Sequence, residues 1–150
     1  LQASSTHNQG FATTELAGAA LLDLQWGKIN STDDVDVEAF EKMVAEKLGL
    51  PAEVQFRYRS TYFKHIFGSD GYAAGYYTYL WAEVLDADGF ELFKEKGIFN
   101  TETANSFRKN VLSKGGTEHP MTLYRRFRGK EPSIDALLKR NGIITKGEQP

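Results

Sequence analysis

The sequence has no cysteine, only three histidines and no long apolar run, and each shortage excludes a class of protein or site. Without cysteine, the chain forms neither disulfide bonds nor thiolate metal sites. No apolar stretch approaches the roughly 20 residues that a membrane-spanning helix needs. The formal net charge of −2 provides no electrostatic basis for binding nucleic acid or an anionic membrane. We therefore expect no nucleic-acid partner and no membrane association.

The histidines also fail to form a metal-binding motif. None of the three, at positions 7, 65 and 119, precedes a glutamate, so the zinc motif H-E-x-x-H is absent. The phosphate-binding glycine motifs and the G-x-S-x-G element of serine hydrolases are absent too. We expect no metal site within the chain, and we assign structural roles to His7 and His119.

What the sequence does contain is the periodicity of a helical domain. Its 150 residues, 41% hydrophobic and 25% charged, suit one domain, which we place over residues 1–150. Apolar residues recur at helical spacing, so we predict an all-α bundle of about five to seven helices. The predicted helices cover residues 13–28, 36–49, 72–96, 100–112, 121–127 and 132–142. A connector is expected at 28–36 and a glycine-rich hinge loop at 68–71, while 54–67 suits either an extended segment or a helical turn.

Local signals set these boundaries. Residues 36–49 begin with acids and end at Gly49 before Pro51, as amphipathic helices often do. In the long helix 72–96, Gly89 is a weak point at which the helix could break. One face of that helix is apolar enough to lie in the core, and it comprises Tyr77, Leu80, Trp81, Val84, Leu85 and Phe93.

The residues best suited to chemistry flank the glycine loop. His65 precedes the loop, and Tyr72, Tyr76 and Tyr79 follow at i, i+4 and i+7, which on an α-helix places three hydroxyls on one face. A tyrosine hydroxyl is a neutral donor near pH 7, so it suits the stabilisation of a developing oxyanion. Gly71 would let the backbone approach a ligand closely. The pattern is that of a site that grips a peptide.

A plainer explanation of the same residues stays open at this point. Tyrosines at helical spacing are by default half-buried packing residues, and a lone histidine is usually structural. The basic run from Arg125 to Arg128 could bind an anion. In a weakly acidic chain, however, a solvated face or a buried salt bridge is the better interpretation of that run.

Four segments, taken together, have a recognisable pattern: residues 8–15, 62–67, 71–81 and 124–132. In sequence and in order they closely resemble the carboxy-terminal part of thimet oligopeptidase-type zinc metallopeptidases, and most of all the bacterial peptidyl-dipeptidase (dipeptidyl carboxypeptidase) branch. The loop between His65 and Tyr72 is longer than in typical thimet oligopeptidases, which affects where His65 lies.

The resemblance implies a mostly helical, two-lobed, zincin-type enzyme with a deep channel. It implies that zinc is held by H-E-x-x-H and a downstream glutamate, all earlier in the polypeptide than this sequence. The chain would then be a carboxy-terminal substrate-binding subdomain, which alone binds no zinc and hydrolyses nothing. The intact enzyme would hydrolyse short peptides and release dipeptides from their carboxy termini.

The resemblance also assigns roles to residues by position. His65, Tyr72 and Tyr79 match the family's histidine and two tyrosines that contact substrate around the scissile bond. Tyr79 or Tyr72 would stabilise the tetrahedral intermediate, and His65 would hold the peptide backbone nearby. Tyr76 matches a further tyrosine that faces the same channel, and Gly71 would lie against the substrate.

The competing hypothesis is a non-enzymatic helical module that binds a peptide or a partner helix in an aromatic groove. As partners we expect short peptides and the remainder of the parent polypeptide. The fragment's exposed faces could also drive dimerisation. The resemblance further implies a cytoplasmic location.

Overall fold

A computed structural model describes residue 4, residues 6–31 and residues 33–143. Within this part the chain forms seven α-helices and no strand, which confirms the prediction of an all-α fold. Two 3₁₀ turns, Ser60–Tyr62 and Asp70–Tyr72, and a π-helical turn, Arg108–Leu112, complete the regular structure. The helices are α1 (Gln9–Trp26), α2 (Val37–Leu48), α3 (Lys64–Phe67), α4 (Thr78–Lys96), α5 (Thr101–Phe107), α6 (Pro120–Arg128) and α7 (Asp135–Arg140).

Side-chain caps fix the starts of several helices. The Asp36 carboxylate accepts hydrogen bonds from the first-turn amides of α2, and Gly49 ends that helix in a left-handed conformation, as predicted. The Asn100 side chain caps α5 by accepting from Thr103 at 2.8 Å. His119 caps α6 through Nδ1, which confirms its structural assignment. These ends are determined locally.

The chain divides into two compact units, residues 1–81 and 82–150. In the first unit, small residues of α1 pack against aromatic and aliphatic residues of the segment that contains α3. Trp26 of α1 also contacts the Phe40 ring of α2, with the centroids 4.0 Å apart. The buried cluster consists of Ala19, Ala20, Phe63, Ile66 and Tyr76, with Leu16 and Leu80 packed against it.

The second unit encloses an aromatic group and a buried ion pair. The rings of Phe93, Phe107 and Phe127 have centroids 5.0–6.2 Å apart. Beside them, Arg128 Nε lies 3.2 Å from Asp88 Oδ2, and both side chains are almost fully buried. The basic run therefore does form a buried salt bridge.

Two other arginines of the same run form exposed ion pairs. Arg125 pairs with Glu131, and Arg126 lies 2.7 Å from Glu118. Both arginine side chains are about half exposed. The interpretation of the basic run as a solvated face and a salt bridge is confirmed, and the ion pairs leave no reason to infer an anion site.

Several details of the predicted helices were wrong. α1 begins at Gln9 rather than near residue 13. α4 continues through Gly89, which is buried beside the Phe127 ring. α7 begins at Asp135 rather than Pro132, because the Ser133 hydroxyl accepts the Asp135 amide hydrogen at 3.2 Å.

The predicted core face of α4 also needs correction. Tyr77 and Trp81 are about half exposed, whereas Leu80 packs against the core of the first unit. Within the described residues, no helix is both long and apolar enough to cross a bilayer.

Candidate functional site

The three candidate tyrosines do not lie on one helix, so the predicted helical ridge of hydroxyls is wrong. Tyr72 closes the 3₁₀ turn Asp70–Tyr72, Tyr76 lies in the turn before α4, and Tyr79 is in the first turn of α4. The chain leaves helical conformation between them, because Ala73 is extended and Ala74 has a φ of 53°. The spacing i, i+4, i+7 therefore does not describe their arrangement.

The fold nevertheless gathers the tyrosines around His65. The Tyr72 ring stacks on the imidazole with centroids 4.8 Å apart and an interplanar angle of 21°. Tyr76 meets the imidazole edge-on at 5.5 Å, and Tyr79 lies at 5.8 Å. The Tyr79 hydroxyl is 3.4 Å from His65 Nε2. We call these four residues, His65, Tyr72, Tyr76 and Tyr79, the His65 cluster.

The members of the His65 cluster differ in exposure. Tyr72 and Tyr79 are 59% and 49% exposed, and His65 is exposed as well. Tyr76 is 8% exposed and belongs to the buried core. Burial raises the pKa of Tyr76, and a hydrogen bond with Tyr58 acts in the same direction. The Tyr76 ring therefore lies in the core and packs against the rest of the cluster, whereas the Tyr72 and Tyr79 hydroxyls are accessible to a ligand.

The loop that precedes Tyr72 is open to solvent. Gly71 is exposed, and the nearest atom to a Cβ built on it would be Ser69 Oγ at 3.8 Å. This space allows a ligand to approach the backbone, although the local conformation does not itself require glycine at position 71.

Neighbouring elements hold both ends of the segment that carries the cluster. Upstream, the Ser60 amide donates to the buried Glu41 carboxylate of α2, and Ser60 Oγ accepts from Trp26 Nε1 at 2.8 Å. Downstream, Asp23 of α1 accepts from the amides of Ala74 and Tyr76 at 2.9 Å and 2.8 Å.

These two acids were missed in the sequence. Asp23 and Glu41 are 2% and 9% exposed, although acidic residues are seldom buried unless they are paired. The available signal was a carboxylate at a position that helical spacing assigns to the buried face. Asp23, for example, stands four and three residues after Ala19 and Ala20, which are both buried.

The His65 cluster can exchange hydrogen bonds with a peptide. A phenol donates without losing its proton at neutral pH, and an imidazole offers one donor and one acceptor when neutral. No ion pair engages His65 within the described residues. The arrangement therefore suits amide recognition and stabilisation of a developing oxyanion more than the activation of a nucleophile.

A metal ion does not fit this part of the protein. Among the described residues, no three side chains of His, Cys, Asp or Glu gather closely enough to hold a metal. His65 is surrounded by aromatic rings, and both oxygens of Asp23 accept main-chain hydrogen bonds. The zinc implied by the family resemblance thus has no ligand set among the residues that the structure describes.

Comparison with known proteins identifies the family. Residues 1–143 match the model of peptidase family M3. The chain is 45% identical over 146 residues to dipeptidyl carboxypeptidase of Salmonella typhimurium, an overlap that covers 95% of this chain and 21% of that protein. It is 62% identical over 81 residues to oligopeptidase A of Escherichia coli, covering 54% of this chain and 12% of that protein.

The chain belongs to peptidase family M3. It spans only about a fifth, or less, of the length of these curated relatives. The resemblance to the oligopeptidase family and to its dipeptidyl carboxypeptidases is confirmed.

Proposed function

We propose that this chain is the carboxy-terminal, substrate-binding part of a zinc metallopeptidase that cleaves short peptides and releases dipeptides from their carboxy termini. Membership of a peptidase family supports an enzyme over a non-enzymatic peptide-binding module. The relatives named dipeptidyl carboxypeptidase match over 93–95% of this chain, whereas those named oligopeptidase A match over about half. This difference in coverage favours dipeptide release over internal cleavage.

The observation that carries the proposal is the exposure of the His65 cluster. Tyr72 and Tyr79 are 59% and 49% exposed, and both rings converge on one imidazole, an arrangement that packing of the core does not require. Exposed aromatic rings that converge on a polar group form a surface for a ligand. Their hydroxyls then provide donors for the carbonyl oxygens of a bound peptide.

We assign the principal catalytic role to Tyr79. Its hydroxyl donates a hydrogen bond to the carbonyl oxygen of the scissile peptide bond, and this bond strengthens as negative charge develops there. Tyr72 supplies a second donor, and its ring packs flat against His65. His65 donates its Nε2 hydrogen to the Tyr79 oxygen, which leaves the single phenol hydrogen for the substrate, and Nδ1 accepts from the substrate backbone.

The zinc ligands belong to parts of the enzyme outside this sequence. The described residues offer no metal site, and H-E-x-x-H is absent from all 150 residues. The isolated chain should therefore purify without stoichiometric zinc and without peptidase activity. Tightly bound zinc at one ion per chain, measured by elemental analysis, would contradict this assignment. The cytoplasmic location and the dimerisation of the fragment stay predictions.

The test is Tyr79→Phe in the full-length peptidase. Removal of one preorganised donor to an oxyanion typically lowers kcat by about 10²–10³-fold. We expect that loss with KM nearly unchanged, because the bond strengthens only in the transition state. Tyr77→Phe is the matched control, since Tyr77 is 47% exposed but lies outside the His65 cluster. Equal kcat values for the two variants would show that the Tyr79 hydroxyl has no catalytic role and that the residue serves packing.

A further inference from the structure

We propose that Asp23 is a positioning residue for this site. Its buried carboxylate sets the main-chain course of residues 72–79 and so places the Tyr72 and Tyr79 hydroxyls beside His65. The inference rests on the proposed function of the His65 cluster, and it adds a residue that lies on a different helix and never touches the substrate.

The hydrogen bonds of Asp23 are the first observation. Asp23 Oδ1 accepts from the Ala74 amide at 2.9 Å, and Oδ2 accepts from the Tyr76 amide at 2.8 Å. Both amides belong to the non-helical turn before α4, where a main-chain donor needs an acceptor from another part of the chain. A buried amide without a partner is strongly disfavoured, so the carboxylate determines where this turn lies. The contact bridges more than 50 residues of sequence.

The conformation of the tethered turn is the second observation. Ala74 has a φ of 53°, in the left-handed region that an alanine rarely occupies. The amide of this same residue donates to Asp23. The turn is therefore held in a conformation that its own sequence does not favour, and the hydrogen bond from α1 supplies the restraint.

The close approach of α1 to the turn is the third observation. A Cβ built on Gly27, at the end of α1, would lie 3.1 Å from the Cβ of Ala74. That separation is too short for relaxed packing, so glycine at position 27 leaves the space that the turn occupies. Gly27 has a φ of −66°, which any residue adopts, so this contact alone accounts for the need for glycine.

His65 is fixed mainly by its neighbours in the chain, one of which, Phe63, packs on the Tyr76 ring. Phe63 and Ile66, on either side of it, are 1% and 3% exposed and lie in the core. A change at Asp23 should therefore move the tyrosines relative to an imidazole that stays in place. A direct chemical role for Asp23 does not fit, because it is buried and both of its oxygens are engaged.

The experiment is a double-mutant cycle in the full-length peptidase with Asp23→Asn, Tyr79→Phe and the combined variant. Asparagine preserves the size of the side chain but retains only one acceptor oxygen, so one of the two main-chain bonds is lost. We expect Asp23→Asn to lower kcat by about 10²-fold, the typical result of misplacing a catalytic group by about 1 Å. In the Tyr79→Phe background the further loss should be clearly smaller than about 10²-fold, because the Tyr79 contribution is already gone and only that of Tyr72 is left to lose.

Two other variants separate positioning from stability. Val44→Ala truncates a fully buried residue of α2, so it should lower Tm and leave kcat unchanged below the unfolding transition. Gly27→Ala disturbs the same turn through packing and leaves the Asp23 carboxylate intact. We expect it to lower kcat and to show the same weak additivity with Tyr79→Phe. It also provides the test if Asp23→Asn does not fold.

The outcomes distinguish the positioning role of Asp23 from the proposed function of the His65 cluster. If Tyr79→Phe leaves kcat unchanged, the function of the His65 cluster is wrong and Asp23 has no site to position. If Tyr79→Phe lowers kcat while Asp23→Asn and Gly27→Ala do not, only the positioning role is overturned. It is equally overturned if the Asp23→Asn and Tyr79→Phe losses simply multiply.

Discussion

Each unit of the protein contains an aspartate that is 2% exposed, but the two carboxylates bind different kinds of partner. Asp23 in the first unit accepts two main-chain amides of a turn. Asp88 in the second unit accepts from two side chains, the Tyr124 hydroxyl at 2.5 Å and the Arg128 guanidinium at 3.2 Å. Asp23 therefore shapes the main chain, whereas Asp88 ties helix α4 to helix α6. Burial of an acid alone does not reveal which of these roles it has.

The aromatic residues of the two units differ in the same way. In the second unit the rings of Phe93, Phe107 and Phe127 pack on one another beside the ion pair. In the first unit Tyr72 and Tyr79 converge on His65 and remain about half exposed. Closed packing of this kind contributes to stability, while an open aromatic cluster leaves binding groups free.

The largest effect on stability should come from separating the ion pair of the second unit. Arg128→Met leaves Asp88 buried with only the Tyr124 hydroxyl as partner, which should lower the free energy of unfolding by about 3–5 kcal/mol. Urea unfolding followed by circular dichroism measures this loss. Arg125→Met is the control, because its pair with Glu131 is exposed and should contribute less than about 1 kcal/mol. Similar losses in the free energy of unfolding for the two variants would show that the buried Asp88 pair stabilises the protein no more than an exposed pair does.

Asp88→Asn tests the contrast between the two aspartates directly. It weakens the bonds to Tyr124 and Arg128, so we expect a loss of about 1–3 kcal/mol in the free energy of unfolding. The kcat of the full-length peptidase should stay unchanged below the unfolding transition, unlike that of Asp23→Asn. A comparable fall of kcat in both variants would mean that the two carboxylates act only through general stability.

Stability at alkaline pH should report on Tyr124. Burial, together with its hydrogen bond to Asp88, raises the pKa of Tyr124 above the ordinary value of 10.0. Because the pKa is higher in the folded than in the unfolded state, this group's contribution is complete below pH 10 and declines as the pH rises above that value. The free energy of unfolding should thus fall more steeply above pH 10 in the wild type than in Tyr124→Phe. Parallel pH profiles of urea unfolding for the two proteins would refute this expectation.

The smallest effect should be a gain in stability at Gly89. A Cβ added there would lie 3.6 Å from its nearest neighbour, a Phe127 ring carbon, which is an ordinary contact distance. Gly89→Ala should therefore raise the free energy of unfolding by about 0.5–1 kcal/mol through helix propensity. Calorimetry would detect the higher Tm. In the first unit, Gly27→Ala meets Ala74 at 3.1 Å and should give no such gain.

Local signals in the sequence predicted the helical fold well. Helix α2 begins and ends where the acids and Gly49 indicate, because a cap needs only residues within one turn. The same holds for Asn100 at the start of α5. At Gly89 it was the low helix propensity of glycine that misled, since the helix continues through this residue, which lies beside the Phe127 ring of α6.

The candidate site shows the same limit. The tyrosines and His65 were identified from their types and order, and the structure does bring all four together. Their expected arrangement on one helix was wrong, because Asp23 holds Ala74 and Tyr76 in a turn. No pattern within residues 65–79 reveals an acceptor on α1.

Residue types and local patterns were enough to predict the all-α class, the capped helices, the family likeness and the aromatic candidates, since each depends on neighbouring residues or on residue type. The burial of Tyr76, the exposure of Tyr72 and Tyr79 and the hydrogen bonds from their turn to a carboxylate of α1 became visible only in the folded chain. These features depend on residues distant in the chain, because such residues determine both the exposure of a side chain and the acceptor that a turn finds.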